Sequence, residues 1–326
     1  MKPLLITLAA MTFALEPSAH FDLQGHRGAR GLLPENTIPA FTAALEIGVT
    51  TLEFDLAMTR EGVLVVHHDE WLNPDITRSA DGTFLTARGP AIYSLTLDEV
   101  RRFDVGRLKP GTAYAKRFSG QRPLDGTRIP TLAEVFDLVA REGAGQTRFN
   151  IETKITPTSG ADVPLPDVFA EAVARAITER GLTARATVQS FDWRTLVALR
   201  SIAPDIERVC LTSEARDDDT IQRGKPGPSP WTAGLDIDDY GGSTPRLVAA
   251  AGCQVWSPSF RDLDAQAITD AKAANVKVIP WTVNERDDMA RVIDLGVDGI
   301  ISDYPDRLRA VLVEKGIPVP PPVRLR

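Results

Sequence analysis

The sequence contains few cysteines, few histidines and no long basic run. Cys210 and Cys253 can form at most one disulfide bond, and we expect two separate core cysteines. Aspartate and glutamate (44) outnumber lysine and arginine (37), which gives a formal net charge of −7. A mildly acidic chain without basic runs argues against a nucleic-acid partner. Because the chain has only four histidines, the position of each one is informative.

Apolar runs long enough to anchor the chain in a bilayer are also lacking. Residues 3–15, which follow Lys2, are uncharged and mostly apolar, but this run is too short for an anchor. It predicts a cleaved signal peptide over residues 1–19. No cysteine follows the run to accept a lipid. We therefore expect a periplasmic or secreted protein without a stable membrane anchor.

Short apolar runs, several of them rich in β-branched residues, alternate with amphipathic segments. This alternation is typical of parallel strands joined by crossover helices. The strand candidates are residues 21–25, 51–58, 63–67, 148–154, 186–191, 207–211, 254–257, 277–283 and 299–302. The helix candidates are residues 37–47, 132–141, 166–180, 192–201, 264–274, 285–294 and 306–314. The pattern predicts an α/β fold, a (β/α)₈ TIM barrel over residues 20–316, with an open doubly wound sheet as the alternative.

One interval interrupts the alternation. Residues 70–128 contain turn signals such as Asn73-Pro74, Asp81-Gly82 and Asp125-Gly126, with a short helical piece near residues 96–102. A structureless loop of this length would be unusual inside a compact domain. We predict an inserted subdomain here, after the second strand region and over the active face. The proline-rich tail, residues 317–326, is predicted to be extended.

Reactive side chains stand where the apolar runs end. His26 and Arg27 close the first run, His68 ends the third, and Glu152 and Lys154 end the fourth. In a barrel, the loops at the carboxyl ends of the strands hold the active site. We therefore expect these side chains to meet at one end of the barrel.

Two carboxylates, Glu53 and Asp55, lie two residues apart in the second run. In a strand this spacing points both side chains to the same side. Paired carboxylates repel each other and are costly to desolvate, so a buried pair requires a cation. With Glu152 they offer three oxygen ligands, which suit a hard divalent cation, Ca²⁺ or Mg²⁺. The alternative is that Glu53 and Asp55 face solvent on a half-exposed strand.

His26 and His68 can act as a general acid and base. A single histidine is more often structural, but two of them beside three acids, Arg27 and Lys154 surround one anionic oxygen centre. General acid and base groups each supply roughly 10²- to 10⁴-fold, and enzymes supply ~10⁶-fold or more, so a metal and cationic contacts are needed as well. This combination points to hydrolysis of a phosphoester.

Six motifs, in chain order, resemble those of the glycerophosphodiester phosphodiesterase family. They are HRGARGLLPENT, TLEFDLAMTREGVLVVHHDEWL, NIETK, VQSF, PWTVN and GVDGIISDYP, within residues 25–305. The resemblance implies a (β/α)₈ barrel with an insertion after the second strand region. It also implies cleavage of small glycerophosphodiesters to glycerol phosphate and an alcohol.

The resemblance further implies a role for each site residue. Strand alternation leaves His67 and His68 both open, and the family's histidine directly before aspartate selects His68. The implied roles are acid/base catalysis by His26 and His68, metal binding by Glu53, Asp55 and Glu152, phosphate contacts by Arg27 and Lys154, and a wall against the glycerol portion by Trp281. For three other motif residues we expect supporting roles: Asn36 as a helix cap, Glu35 beside the metal shell, and Asp303 in fixing the last loop.

Two other functions remain open from the sequence. One is a phospholipase D-like or phosphoinositide-type enzyme that acts on intact lipids. The other is a binding protein that captures phosphodiesters without cleaving them, although such a protein would have little need of two histidines. For the enzyme, attack by a glycerol hydroxyl through a cyclic phosphate and direct attack by water are both compatible with the motifs.

Overall fold

Residues 21–324 are described by a computed structural model, so the predicted signal peptide lies outside the described residues. The first half of the described chain runs through β1 (Asp22–Gly25), α1 (Ile38–Ile47), β2 (Thr51–Met58), β3 (Leu64–Val66), α2 (Leu97–Val100), α3 (Ala113–Arg117), α4 (Leu132–Arg141), β4 (Arg148–Thr153) and α5 (Pro166–Glu179). The second half contains β5 (Ala186–Ser190), α6 (Trp193–Ile202), β6 (Glu207–Thr212), β7 (Glu214–Ala215), β8 (Asp218–Asp219), α7 (Thr244–Ala251), β9 (Val255–Pro258), α8 (Ala265–Ala273), β10 (Lys277–Val278), α9 (Arg286–Leu295), β11 (Gly299–Ser302) and α10 (Pro305–Glu314).

Eight parallel strands form a nearly closed barrel in the order β10-β9-β6-β5-β4-β2-β1-β11. The two ends of this sheet meet through backbone hydrogen bonds, from Asp298 N to Val278 O (2.9 Å) and from Ile301 N to Pro280 O (3.0 Å). Helices cover the outside, and every residue of β2 is buried, as expected for a strand packed on both faces. The predicted (β/α)₈ barrel is confirmed, and the open doubly wound sheet is excluded.

Local signals set the helix ends. The Thr131 hydroxyl caps α4, and the Glu134 side chain accepts from the Thr131 backbone N–H in return, which forms a capping box. Helix α1 ends at Gly48, whose φ of 84° is a left-handed conformation that favours glycine. These signals explain why the predicted and observed bounds of α4 agree.

Two predicted strands differ from the structure, and helix α7 lies where no helix was predicted. The run at residues 63–67 forms β3, which pairs antiparallel with β2 and lies off the barrel path. The run at residues 277–283 forms only the two-residue strand β10, because Pro280 has no N–H to donate. Helix α7 was not predicted. Its sequence begins with Thr244-Pro245, a proline in the first turn that is compatible with a helix start.

The interval predicted as an insertion, residues 70–128, carries α2, α3 and a 3₁₀ turn (Ile92–Ser94). It packs its own small apolar core against β2 and β3, formed by Ala57, Val65, Leu72, Ile92, Val100, Val105 and Ile129. Helix α3 lies near the carboxyl end of β1, where Gln121 Nε2 donates to Arg30 O (2.8 Å). The interval therefore adds side chains to the same barrel end as the predicted site residues.

Cys210 and Cys253 form a disulfide bond, with a Cα–Cα distance of 5.9 Å, so the expectation of two separate cysteines is wrong. Cys210 lies in β6 and Cys253 just before β9, and these strands are neighbours in the barrel. Sequence alone does not show that two strands so far apart in the chain are adjacent. Residues 317–324 contain no helix or strand, as predicted for the tail. Within residues 21–324, no helix has the length and apolar character needed to cross a membrane.

Candidate active site

A tight turn after β1 places the first two site residues over the barrel. Arg27 and Gly28 both have positive φ values, 49° and 82°. A side chain at Gly25 would collide with the carbonyl oxygen of Gly28, so the turn requires glycine there. The turn directs His26 and Arg27 toward the carboxyl ends of the neighbouring strands.

His26 is held by a carboxylate from the other end of the chain. Its Nδ1 donates to Asp303 Oδ1 (2.6 Å), and its Nε2 lies 3.9 Å from Glu53 Oε2. Asp303 also accepts from Arg30 Nε (2.7 Å) and from Asn284 Nδ2 (2.7 Å). Asp303 thus orients the imidazole in addition to its contacts within the last loop.

The two neighbouring histidines have different surroundings. His68 Nδ1 donates to Asp69 Oδ1 (2.8 Å), and Asp69 is held in turn by Asn73 Nδ2 (2.6 Å). His68 lines the site cavity. His67 is buried and its Nδ1 bonds the backbone oxygen of Asp69 (2.9 Å). This arrangement is compatible with His68, rather than His67, acting on a substrate.

Glu53, Asp55 and Glu152 converge. Their carboxylate oxygens lie within 4.8 Å of one another, since Asp55 of β2 pairs directly with Glu152 of β4. Glu53 is 1% and Asp55 is 0% exposed, so the half-exposed alternative is wrong. Asp55 Oδ1 is buried without a hydrogen-bond partner, which is costly unless a cation lies beside it. The three carboxylates therefore fit a hard divalent cation.

Hydrogen bonds from surrounding residues hold this acidic triad. Glu53 accepts from Arg27 N (2.9 Å) and from Gln189 Nε2 (2.7 Å). Asn36 Nδ2 donates to Asp55 Oδ2 (2.8 Å). The prediction that Asn36 caps α1 is therefore wrong.

Thr37 caps α1 instead, because its Oγ1 accepts from Ala40 N (3.4 Å). Asn36 has a φ of 56°, a left-handed conformation that asparagine tolerates better than most residues. This turn frees the amide of Asn36 to reach Asp55.

The predicted phosphate contacts are paired with carboxylates. Arg27 Nη1 donates to Glu35 Oε1 (2.7 Å), and its Nε lies 3.2 Å from Asp55 Oδ2. Lys154 Nζ donates to Glu152 Oε1 (2.7 Å). Glu35 also accepts a hydrogen bond from the Tyr114 hydroxyl of α3. Glu35 therefore supports the triad through Arg27.

Burial and charge shift the titration of the acids in opposite directions. Burial alone would raise the pKa of Asp55, but the Arg27 guanidinium, His68 and Lys154 together outweigh it and hold this pKa well below its usual range. Burial and the adjacent Asp55 raise the pKa of Glu53 well above its usual range. Burial raises the pKa of Glu152 to about 7 despite the nearby Lys154. A divalent cation among the three would favour the ionised form of each.

Both imidazoles are neutral near pH 7. Burial and the Arg30 guanidinium lower the pKa of His26 to about 4, although Asp303 opposes the shift. Burial, Arg27 and Lys154 lower the pKa of His68 to about 4. A neutral imidazole can accept a proton from a nucleophile.

Two adjoining cavities open at this barrel end. The inner cavity, of about 190 Å³, is lined by His26, His68, Glu53, Glu152, Arg117 and Trp281 among others. The outer cavity, of about 770 Å³, adds Trp71, Arg88 and Trp231. Trp281 and Phe191 line both cavities and pack edge to face with ring centroids 5.2 Å apart. The structure thus brings every predicted site residue to one place.

Sequence reasoning missed several residues of this site. They are Arg30, Arg117, Gln189, Asn284 and, as a contact of Glu35, Tyr114. Arg30 and Gln189 lie inside recognised motifs, and Asn284 ends PWTVN, so their positions could have been found. Arg117 and Tyr114 come from the turn-rich interval, where no local pattern indicates which side chains reach the barrel.

A parallel α/β barrel with two imidazoles, paired cations and a buried acidic triad at its carboxyl end defines a hydrolytic barrel enzyme of the phosphodiesterase class. The family model for the glycerophosphoryl diester phosphodiesterase family matches residues 26–307. The chain belongs to this family and is therefore a glycerophosphodiester phosphodiesterase.

Individual relatives agree. The glycerophosphodiester phosphodiesterase of Caldanaerobacter subterraneus subsp. tengcongensis is 31% identical over 291 residues, 89% of this chain and 97% of the relative. A crystal structure from Silicibacter pomeroyi, assigned to the glycerophosphoryl diester phosphodiesterases, has a TM-score of 0.81 at 34% identity and covers 93% of this chain and 96% of that chain. An Oleispira antarctica phosphodiesterase, solved with the product sn-glycerol-3-phosphate, shares the fold, with a TM-score of 0.64 at 22% identity and coverage of 89% and 96%.

Proposed function

We propose that the enzyme requires a divalent cation and cleaves glycerophosphodiesters to sn-glycerol 3-phosphate and an alcohol, with His26 and His68 as the acid/base pair. The observation that carries this proposal is the inner cavity, where both imidazoles line the same space as Glu53 and Glu152. Acid, base and cation ligands are therefore within reach of one phosphate group.

Glu53, Asp55 and Glu152 would hold the cation, Ca²⁺ or Mg²⁺, since all three offer only oxygen ligands. When bound, such a cation polarises a phosphate oxygen and favours ionisation of an attacking hydroxyl. Arg27 and Lys154 add positive charge beside the phosphate, and both line the inner cavity. Trp281, also in its lining, forms an apolar wall for the glycerol portion.

The hydrogen bonds of the two imidazoles define how each moves a proton. Asp303 holds Nδ1 of His26 and Asp69 holds Nδ1 of His68, so Nε2 is the atom that each ring offers to the substrate. One neutral imidazole takes the proton of the attacking hydroxyl as the bond to phosphorus forms. The other takes a proton from solvent and delivers it to the alcohol oxygen as its bond to phosphorus breaks, and the first ring then returns its proton to solvent. The attacking group is a glycerol hydroxyl, which gives a cyclic phosphate that water then opens, or water itself. Transient cyclic phosphate in a ³¹P NMR time course identifies the first route.

We also propose that the protein is exported to the periplasm or secreted. The apolar run at residues 3–15 supports export, and the Cys210–Cys253 bond is of the kind that persists in oxidising compartments. Cell fractionation with an antibody against the protein tests this proposal. Recovery of the full-length protein only in the cytoplasm would contradict it.

The function itself is tested by hydrolysis assays with glycerophosphocholine, glycerophosphoethanolamine and an intact lysophospholipid, each with and without chelator. We expect chelator-sensitive release of glycerol phosphate from the first two substrates. Preference for the lysophospholipid would instead favour the lipid-cleaving enzyme, and tight binding without product would favour the binding protein. His26→Ala and His68→Ala should each nearly abolish turnover while the circular dichroism spectrum stays unchanged. Appreciable activity of either variant would remove that histidine from the proposed role.

A further inference from the structure

A row of side-chain hydrogen bonds crosses the inside of the barrel, from its amino-terminal mouth to the acidic triad. Gln24 Nε2 donates to Asp22 Oδ2 (2.8 Å), and Asn150 Nδ2 donates to Gln24 Oε1 (2.9 Å). Asn150 Nδ2 also donates to Gln189 Oε1 (2.9 Å), and Gln189 Nε2 donates to Glu53 Oε1 (2.7 Å). We name Gln24, Asn150 and Gln189 the amide chain.

The amide chain is deeply buried. Its three side chains are only 1–2% exposed, and each lies on a different barrel strand, with Asn150 of β4 paired in register with Glu53 of β2. Barrel interiors are normally filled with bulky apolar side chains, as on the opposite side of this barrel, where Val209, Val255, Ile279 and Ile301 pack together. Buried amides are tolerated only when their hydrogen bonds are satisfied. Their presence here therefore calls for a reason other than packing.

The carboxylate of Asp22 determines which way each side chain of the amide chain faces. Asp22 accepts from both Gln24 Nε2 and Thr51 Oγ1 (2.6 Å), and an ionised carboxylate can only accept. The nitrogen of Gln24 must therefore face Asp22, which turns its oxygen toward Asn150. Asn150 must then offer its nitrogen to that oxygen, and its own Oδ1 accepts from Thr187 Oγ1 (2.9 Å).

The Asn150 nitrogen has two protons and donates one of them to Gln24 Oε1. The other points to Gln189, which must therefore present its oxygen to Asn150. Its nitrogen is then left to face Glu53. If the Gln189 amide turned over, two acceptors, its oxygen and the ionised carboxylate that Glu53 presents to a cation, would face each other. The carboxylate would have to rotate away from the position in which it meets Asp55 and Glu152.

We propose that the amide chain, anchored by Asp22, positions Glu53 for cation binding. Asp22, Gln24 and Asn150 are then positioning residues outside the inner cavity, and Gln189, which also lines that cavity, acts on the cation through Glu53. This inference rests on the proposed function in one respect, that Glu53 is a cation ligand. Outer partners that orient a metal ligand affect metal affinity although they do not contact the metal.

The order of donors and acceptors along the amide chain can be tested by substitution. Gln24→Glu keeps the shape of the side chain but replaces its donor with a second acceptor, so two carboxylates face each other at positions 22 and 24 and the bond to Asn150 is disturbed. Adding Asp22→Asn restores the pattern, because Asn at position 22 can donate to Glu at position 24, which still accepts from Asn150. The double variant thus recovers the orientation of every amide beyond position 24.

Isothermal titration of the full-length, chelator-treated protein with Ca²⁺ and with Mg²⁺ measures the effect. Loss of an outer partner of a metal ligand costs roughly 10- to 100-fold in affinity, so at pH 8 we expect about threefold or more for the remote Gln24→Glu change and recovery in the double variant. Glu207→Gln is the matched control. It removes one carboxylate from the cavity at the same mouth, where Glu207 pairs with Arg148 and Lys277, and should leave the affinity unchanged.

The possible results distinguish a failure of this inference from a failure of the proposed function. If the wild-type protein binds neither ion, cation dependence fails, and with it the role given to Glu53. If wild type binds and Gln24→Glu binds equally well, or if the double variant is no tighter than the single one, only the positioning role is overturned. If Gln24→Glu does not fold, Thr187→Val decides by the same titration, because it removes the donor to Asn150 without changing side-chain size, and unchanged affinity would overturn the role.

Discussion

His26 and Asp303 stand at opposite ends of the chain and meet through a 2.6 Å hydrogen bond at the mouth of the barrel. The bond forms because β1 and β11 are paired in parallel register, with Gly25 opposite Ser302. Each of these strands ends one residue before a member of the pair. The first and last barrel strands together therefore build one half of the proposed acid/base pair.

Asp303→Asn should lower kcat by on the order of 10²-fold or more, with little change in KM, because a carboxamide can present a donor to Nδ1 and reverse the protonation of the imidazole. Steady-state kinetics on glycerophosphocholine measure the effect. Asp306→Asn, in the exposed first turn of α10, is the control. A variant with wild-type kcat would show that Asp303 serves the loop alone.

Arg117 is a cation of the inner cavity that we expect to contact the substrate phosphate. It lines the inner cavity, yet it forms no ion pair with a carboxylate among residues 21–324, whereas Arg27, Arg30 and Lys154 all do. Charge-assisted hydrogen bonds contribute about 1.5–3 kcal/mol, so Arg117→Ala should raise KM roughly tenfold or more. Arg117→Lys should recover part of the loss, and Lys116→Ala, at the exposed neighbouring position, should behave as wild type. An unchanged KM in Arg117→Ala would exclude the contact.

The raised pKa of Glu152 predicts that the stability of the metal-free protein depends on pH. Burial raises this pKa from 4.5 to about 7, so the folded state binds more protons than the unfolded state between those values. The ionised carboxylate therefore destabilises the fold above pH 7, and this penalty disappears as the pH falls toward 4.5. In chelator, Glu152→Gln should be more stable than wild type at pH 8 and no more stable at pH 4.5. Thermal melts at both pH values measure the difference.

Saturating Ca²⁺ or Mg²⁺ should reverse that ranking at pH 8. Ligand at 100 times its dissociation constant stabilises the folded state by about 2.7 kcal/mol, and Glu152→Gln weakens the site that provides this gain. Melting temperatures recorded with and without the ion therefore give an independent readout of cation binding. An ion-induced increase of equal size in wild type and Glu152→Gln would place the cation elsewhere.

The disulfide bond should contribute to stability and leave catalysis intact. It links residues 43 positions apart, and its removal should lower the free energy of unfolding by about 2–4 kcal/mol. Cys210→Ser/Cys253→Ser, compared with wild type in urea denaturation, measures this change. kcat should be unaffected, because neither sulfur lies in the cavities that hold the imidazoles. Equal midpoints for the two proteins would contradict the prediction.

Much of the site could be predicted because strand geometry is local. The two-residue spacing of Glu53 and Asp55 places both on the same side of β2 whatever the rest of the chain does. The end of each apolar run marked where His26, His68 and Glu152 would emerge. Ordered motifs then linked these positions to a family, and the family model and the barrel bear this out.

Other features depended on contacts between distant segments. Asn36 has the sequence context of a helix cap, yet its amide bonds Asp55 because the β1–α1 loop folds over β2. The 63–67 run has a strand pattern, but only its pairing partner decides that it turns back against β2 and stays out of the barrel path. Tyr114 of the turn-rich interval reaches Glu35 with no local signal to announce it.

The sequence by itself determined which side chains share one face of a strand and which strand ends carry reactive groups, since alternation along a strand is a property of the backbone. Only the tertiary structure decided which strands are neighbours, and hence that Asp303 meets His26, that Cys210 meets Cys253, and that Gln189 meets Glu53. The physical reason is that these pairings depend on barrel closure, in which packing of the whole chain, rather than any local preference, selects one arrangement.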